Sequence, residues 1–169
     1  MSCSTWRQSN HENSNRPQDT DLIELIGKSI YFAKMNADKK GTTIDFNPPT
    51  ENSILSIDPD KIKQVVDNLL SNAIKYSPPK SVVSVEFTAS TTEQTISVKD
   101  QGPGIPEDER DKLFRDFGRL SVQPTGGEKS TGLGLAICRK IVEAHGATVT
   151  AKNLPDLGCE FKVTFPIKT

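Results

Sequence analysis

The chain has 169 residues, a length that fits one domain with a substantial core. Its 21 basic and 22 acidic residues leave a net charge of −1, which gives no electrostatic basis for binding nucleic acid or a membrane surface. Cys3, Cys138 and Cys159 are widely spaced and odd in number, so we predict neither a disulfide framework nor a zinc site, and a reducing, cytoplasmic location. We identify no apolar run of about eighteen residues and no signal peptide.

The first 19 residues are polar and rich in Ser, Asn and Gln. We therefore predict a disordered tail or linker over 1–19 and a folded domain over 20–169. Apolar residues then recur at helical spacing from Leu22, and this pattern ends near Gly41. The strongest predicted helix is 58–76, which opens on an Asp-Pro pair suited to an N-cap and a first helical position.

Alternating polarity and turn residues predict the remaining strands and helices. The predicted strands are 42–46, 54–57, 82–89, 94–99, 147–152 and 159–165, and the predicted helices are 107–116 and 131–145. Residues 117–130 have no periodicity and contain three glycines and a proline, which is typical of a long functional loop. This order of elements predicts an α+β fold, a two-layer α/β sandwich whose mixed, mostly antiparallel sheet carries helices on one face.

Polar residues on the 58–76 helix form the first candidate site. Asn68, Asn72 and Lys75 follow at intervals of four and three, so they share one stripe beside the apolar face. A solvated surface is the ordinary explanation, but Asn is a mediocre helix former and surface positions usually carry Glu, Lys or Gln. A carboxamide oxygen can coordinate Mg²⁺, and a lysine one turn further on can meet phosphate.

Two glycine-bearing segments form further candidates. The segment 100–106, DQGPGIP, is either a tight turn or a loop in which Gly102 and Gly104 let a ligand approach the backbone while Asp100 accepts a hydrogen bond. The segment 130–137, STGLGLAI, opens a predicted helix, and free N–H groups at a helix start suit phosphate. The chain lacks the established P-loop, Rossmann and protein-kinase motifs.

Four segments together resemble the N, G1, F and G2 boxes of sensor histidine kinase catalytic domains, in the family's order and at similar separations. These segments are QVVDNLLSNAIKYS (64–77), DQGPGIP (100–106), RDKLFRDFGRL (110–120) and STGLGLAICRKIVEAHG (130–146). The ending GCEFKVTFP (158–166) resembles the family's final strand, so the resemblance covers about residues 20–166. It implies the Bergerat ATP-binding fold, which gyrase-type, mismatch-repair and heat-shock chaperone ATPases share.

The resemblance implies a function for each candidate residue. The implied catalytic residues are Asn68, Lys75 and Arg119, and the implied metal ligands are Asn72 and Asn68. The implied nucleotide-binding residues are Asn72, Tyr76, Asp100, Gly102, Gly104, Thr131, Gly132, Leu133 and Gly134. Asp100 would bond the adenine amino group, Tyr76 would pack beside adenine, and the amides of 132–134 would hold the phosphates. Lys75, and Arg119 from a lid over 117–130, would also reach phosphate.

The resemblance further implies binding of Mg²⁺ and ATP, and transfer of the γ-phosphoryl group to a histidine on a separate dimerisation and phosphoacceptor domain. A response regulator would act downstream, and the fragment would be monomeric. Asn68 stands where gyrase-type ATPases carry a water-activating Glu. The F box departs from the usual pattern, which leaves the role of Arg115 open. His11 lacks room for a phosphoacceptor helix pair and is predicted to lie in the tail, whereas His145 is predicted to cap a helix.

Two alternatives remain at this point. One is a stand-alone relative such as an anti-sigma-factor serine kinase, and the run NLLSNAIKYS favours the histidine kinase over it. The other is a non-catalytic interaction module gated by ATP. The presence of Asn72, Asp100 and the TGLGL run disfavours that module.

Overall fold

A computed structural model of the chain describes residues 16–50, 53–115, 124, 134–156 and 158–168. The elements are β1 (Gln18–Asp21), α1 (Leu22–Lys40), β2 (Thr43–Phe46), β3 (Ile54–Ile57), α2 (Pro59–Tyr76), β4 (Val82–Ala89), β5 (Glu93–Lys99), a 3₁₀ helix (Glu107–Lys112), α3 (Gly134–Ala144), β6 (Thr148–Asn153) and β7 (Cys159–Pro166). The expectations for His11, for the proposed lid with Arg119, and for Thr131, Gly132 and Leu133 fall outside the described residues.

The first two helices begin where the sequence predicts. The Asp21 side chain accepts hydrogen bonds from two main-chain N–H groups of the first turn of α1, and Gly41 follows its last residue. At α2, Asp58 is the N-cap and Pro59 the first helical residue. Each cap satisfies N–H groups that have no partner within the helix, which stabilises the helix by about 1 kcal/mol.

One five-stranded sheet organises the fold, in the order β2-β4-β5-β7-β6. Only β2 and β4 pair in parallel in it, and the other neighbours are antiparallel, as the sequence predicts. The strands β1 and β3 form a separate antiparallel ribbon. The carboxyl end of β5 lies beside the amino end of β7, where Lys99 pairs with Glu160. Asp100 and Cys159 therefore come together at one end of the sheet.

The core lies between the sheet and the helices. Alternate residues of β5 and β7, including Ile96, Val98 and Val163, are almost completely buried in the same apolar cluster as Leu69 and Leu70 of α2. Each buried aliphatic side chain contributes roughly 1.5–3 kcal/mol, so this layer holds α2 firmly against the sheet. Within the described residues, no helix is long and apolar enough to cross a bilayer.

Two details differ from the sequence prediction. The strand β1 was not predicted, and it begins before the expected domain start at residue 20. Its sequence, QDTD, has no alternation of apolar and polar residues, because main-chain pairing with β3 rather than side-chain burial holds it. The predicted helix 107–116 is instead a 3₁₀ helix over Glu107–Lys112. None of its side chains is buried, so no apolar face stabilises a longer α-helix there.

Candidate functional site

The Asp100 carboxyl group is the most constrained polar group of the site. Its side chain is only 6% exposed. Oδ1 accepts hydrogen bonds from the main-chain N–H groups of Gly102 at 2.9 Å and Cys159 at 3.2 Å. The main-chain N–H of Asp100 in turn donates to the Cys159 carbonyl oxygen at 2.9 Å. These bonds fix the carboxyl group through Oδ1, no described residue hydrogen-bonds its Oδ2, and Asp100 lines a cavity.

Burial raises the pKa of the Asp100 carboxyl group, and the hydrogen bonds from Gly102 and Cys159 oppose that rise. A buried carboxyl group is costly to charge unless it is well bonded, and among the described residues only its Oδ1 has hydrogen-bond donors. A ligand N–H placed opposite Oδ2 would supply the missing donor. The chemistry of the carboxyl group would suit a ligand that presents a hydrogen-bond donor at this position.

The cavity beside Asp100 is small and mostly apolar. Its lining consists of Asn72, Tyr76, Asp100, Pro103, Gly104, Ile105, Leu113, Leu135, Cys159 and Phe161. Its volume of about 40 Å³ has room for a few water molecules at most. Aromatic and aliphatic walls with one buried acceptor suit a flat heterocycle that carries an amino group.

The polar stripe of α2 approaches the start of α3. The Asn68 Nδ2 group donates to the Cys138 sulfur at 3.6 Å, which ties the stripe to α3. The Asn68 Oδ1 atom lies 3.7 Å from the point where a Cβ on Gly134 would stand, so Gly134 is adjacent to it. Asn72, one turn further along α2, lines the cavity. The sequence prediction that the α2 stripe and the Gly134 segment share one site is consistent with these positions.

The carboxamide oxygens of Asn68 and Asn72 on this stripe would suit a magnesium ion that is bound together with a nucleotide. Mg²⁺ prefers oxygen ligands, retains most of its waters and needs one or two protein oxygens besides substrate phosphates. With Nδ2 of Asn68 directed at sulfur, its Oδ1 remains an acceptor, and no described residue hydrogen-bonds the Asn72 carboxamide. Among the described residues, no group of three or more His, Cys, Asp or Glu side chains forms a separate metal site.

Lys75 lies outside the lining of the Asp100 cavity, and its expected contact with phosphate stays a prediction. Its side chain lines a wider cavity of about 570 Å³ between α1 and α2, together with Phe32, Asn36 and Ser71. The structure does not bring it onto the wall of the Asp100 cavity, although its neighbour Tyr76 lies there.

The Tyr76 carbonyl oxygen also approaches Gly102 so closely that a Cβ at Gly102 would lie 2.7 Å from it.

Sequence reasoning missed the contribution of the β6–β7 hairpin. Gly158 has a φ of +101°, and a Cβ there would lie 1.9 Å from the Asp100 carbonyl oxygen. Only glycine therefore fits where the main chains of Gly158 and Asp100 approach each other. Cys159 follows it and lines the cavity, and burial raises the pKa of its thiol to about 12. The thiol is therefore neutral and acts as an apolar wall. The glycine of the GCEF run was the only available signal, and glycines are common in turns.

His145 caps the end of α3, as predicted, and also contacts the start of α2. Its Nδ1 lies 2.7 Å from the Ile141 carbonyl oxygen, and the main-chain N–H of Asp58 points at its Nε2 at 3.1 Å. A carbonyl can only accept and an N–H can only donate, so the proton resides on Nδ1. The ring joins the end of α3 to the start of α2, the two helices that flank the site.

Comparison with known proteins identifies the fold. The sequence profile described as histidine kinase-, DNA gyrase B-, and HSP90-like ATPase matches residues 57–169. Over 148 residues the chain is 40% identical to the sensor protein kinase WalK of Staphylococcus saprophyticus, which covers 86% of this chain and 24% of WalK. The catalytic domain of histidine kinase ThkA superposes with a TM-score of 0.79 at 30% identity, over 89% of this chain and 97% of that one. The mycobacterial sensor histidine kinase MprB gives 0.80 at 26% identity, over 88% and 97%.

These comparisons confirm the two-layer ATP-binding fold that the resemblance implied. The chain spans about a quarter of the length of WalK, so its likeness concerns one part of that kinase. All three named proteins are histidine kinases, which disfavours both a stand-alone anti-sigma-factor kinase and a non-catalytic module. The chain therefore belongs to the histidine kinase-, DNA gyrase B- and HSP90-like ATPase family, where it groups with the catalytic domains of sensor histidine kinases.

Proposed function

We propose that this chain binds ATP with Mg²⁺ and transfers the γ-phosphoryl group to a histidine on a separate dimerisation and phosphoacceptor domain. The observation that carries the proposal is the Asp100 carboxyl group. One of its oxygens is held by two main-chain N–H groups, and the residue lines a mostly apolar cavity. Adenine is flat and apolar on its faces and carries an amino donor on its edge. Guanine carries a carbonyl acceptor at the same place, which would face the carboxylate unfavourably.

The phosphates would extend from this cavity along the polar stripe of α2 towards the start of α3. Asn72 and Asn68 supply the carboxamide oxygens for Mg²⁺, and the proximity of Asn68 to Gly134 supports a phosphate position between them. By resemblance, Thr131 and the amides of 132–134 would complete the phosphate contacts, with Arg119. Bound Mg²⁺ would neutralise charge that develops on the transferred group. The chain's own task is to position the nucleotide.

The transfer itself exchanges one bond to phosphorus for another. A ring nitrogen of the acceptor histidine bonds to the γ-phosphorus, the bond to the oxygen bridging the β- and γ-phosphates breaks, and ADP leaves with that electron pair. The acceptor ring loses a proton to solvent. Asn68 supports transfer over hydrolysis, because a neutral carboxamide cannot take a proton from water as a glutamate base can. ATP hydrolysis by the chain alone should be slow.

The relatives also support the expected partners and location. ThkA has been solved in complex with response regulator protein TrrA, and this chain superposes on that complex with a TM-score of 0.75 at 27% identity. We extend the role of a response regulator partner to the parent of this chain on that basis. The proposed activity requires ATP, which the cytoplasm supplies. The two buried cysteines are free thiols, as is usual in a reducing compartment.

Transfer of radiolabel tests the proposal. The chain is incubated with γ-labelled ATP and Mg²⁺, with or without the phosphoacceptor hairpin of its parent kinase, and the protein label is tested for stability in acid and base. We expect slow labelling of the hairpin at an acid-labile, base-stable site, because loss of a covalent tether removes an effective concentration of about a millimolar. Asn72→Ala is the matched variant that should not transfer. Label on this chain by itself, for instance at His11, would contradict the proposal.

A further inference from the structure

A single side chain of the β6–β7 hairpin holds the loop that forms one wall of the cavity. Asn153, the last residue of β6, makes two hydrogen bonds to the main chain of Ile105, 48 positions away in sequence. Its Oδ1 accepts from the Ile105 N–H at 2.7 Å, and its Nδ2 donates to the Ile105 carbonyl oxygen at 2.8 Å. The carboxamide therefore pairs with one residue as a neighbouring strand would, with both main-chain groups satisfied.

The Asn153 carboxamide also occupies space that the loop leaves free. Gly104 has a φ of +81°, and a Cβ at this position would lie 2.9 Å from the Asn153 Oδ1 atom. Glycine at 104 therefore allows both the backbone conformation and the close approach of the carboxamide. The side chain of Ile105, the residue that Asn153 holds, is buried and lines the cavity. Any shift of the Ile105 main chain would move a wall of the cavity.

The loop is fixed at both of its ends by the same hairpin. At its start, Asp100 bonds to the main chain of Cys159 in both directions. At its end, Ile105 bonds to Asn153. The intervening Gln-Gly-Pro-Gly run contains two glycines, so without the second anchor it would sample many conformations. Held at both ends, the loop presents Asp100 and Ile105 at a fixed separation.

We propose that Asn153 is a positioning residue for the nucleotide base, because it holds Ile105 in the place where the base must pack. The inference rests on the proposed ATP binding and concerns the base rather than the phosphates. A residue that only stabilised the hairpin would change the free energy of unfolding without favouring one part of the ligand. A positioning residue for the base changes affinity for ligands that contain the base and leaves triphosphate binding unchanged.

The test compares Asn153→Ala with the wild-type chain and with Ser97→Ala. Ser97 is 5% exposed, and its Oγ donates to Glu160 Oε1 at 2.6 Å. Its loss therefore removes a buried hydrogen bond that contributes nothing to the lining of the cavity. Calorimetry measures Kd for ATP and for tripolyphosphate, both with Mg²⁺, and amide exchange measured by NMR reports the protection of the Ile105 N–H.

We expect Asn153→Ala to raise the Kd for ATP on the order of tenfold, because the loop loses both hydrogen bonds that hold Ile105 and must be ordered when the base binds. The Kd for tripolyphosphate should stay unchanged, and the Ile105 amide should lose protection. Ser97→Ala should leave both Kd values and that protection unchanged. Unchanged ATP affinity in Asn153→Ala, or equal weakening of ATP and tripolyphosphate, would overturn the inference alone. Failure of the wild-type chain to bind ATP would overturn the proposed function and this inference with it.

Discussion

Replacing Asp100 by asparagine should weaken ATP binding and stabilise the fold at the same time. Two main-chain N–H groups point at Oδ1 of the wild-type side chain. In Asp100→Asn the carboxamide oxygen must take that position, because an NH₂ group there would face two donors. The NH₂ group therefore replaces Oδ2 at the cavity and presents a donor where adenine also presents one.

The expected change in affinity follows from the lost hydrogen bond. A hydrogen bond to a charged group contributes about 1.5–3 kcal/mol, so the Kd for ATP should rise roughly 10- to 150-fold. The guanine carbonyl, by contrast, gains a donor opposite it. The Kd values for ATP and GTP should therefore converge in Asp100→Asn.

The expected change in stability has the opposite sign. Burial raises the folded-state pKa of the Asp100 carboxyl group above its unfolded value. Below the pKa of the unfolded chain, about 4, the carboxyl group is protonated in both states and burying it carries no charge penalty. Above the higher pKa of the folded chain it is charged in both states, and folding then pays the full penalty of burying the charge. At pH 7 the asparagine keeps both N–H bonds without that cost. We therefore expect a higher free energy of unfolding and a higher Tm for Asp100→Asn at pH 7, and this gain should disappear as the pH falls towards 4.

Differential scanning calorimetry at pH 7 and pH 4.5, with ATP and GTP titrations at pH 7, measures both effects. The control is Asp111→Asn, which removes one carboxylate from an exposed position of the 3₁₀ helix and should change neither. A lower Tm for Asp100→Asn at pH 7 would refute the account of its burial. An undiminished preference for ATP over GTP would refute its role in reading the base.

Three further predictions concern the metal, the glycines and the cavity wall. Asn72→Ala should weaken ATP binding in Mg²⁺ but not in EDTA, as calorimetry would show; equal loss in both conditions would refute its role as a metal ligand. Gly158→Ala should destabilise the fold by at least about 3 kcal/mol, because its Cβ would overlap a main-chain carbonyl oxygen at 1.9 Å. Gly27→Ala, in α1 with nothing within 4 Å of the added Cβ, should instead stabilise it by up to about 1 kcal/mol, and urea titration compares the two. Cys159, 3% exposed and with a thiol pKa of about 12, should resist iodoacetamide at pH 8 until the chain unfolds, and rapid labelling of the native chain would contradict this burial.

Local chemistry made much of the fold predictable from the sequence. The Asp58-Pro59 pair and the apolar face that follows it define α2 to within a residue. Strands β4, β5 and β7 carry the period-two alternation that burial of one sheet face requires. β1 escaped prediction, and the helix predicted at 107–116 is a shorter 3₁₀ helix, because neither element buries an apolar stripe.

The candidate site was less predictable where it depends on long-range register. Asp100 and Asn72 could be chosen as candidates because each lies in a contiguous segment with a recognisable pattern, 100–106 and 64–77. The hairpin contribution could not, since Asn153 reaches Ile105 only through the pairing of β6 with β7 and of β7 with β5. Helical spacing placed Lys75 on the stripe with Asn72, but spacing alone does not determine which of two neighbouring cavities a long side chain enters.

Mapping of amide chemical shifts on addition of ATP and Mg²⁺ tests the central claim most directly, because the wider cavity between α1 and α2 is an alternative nucleotide site. The account predicts that the largest shifts cluster around the smaller cavity, at Asn72, Tyr76, Gly104, Ile105 and Cys159. The same shifts should be absent when GTP replaces ATP at equal concentration. Shifts concentrated instead in the wider cavity between α1 and α2, at Phe32, Asn36 and Ser71, would contradict the account.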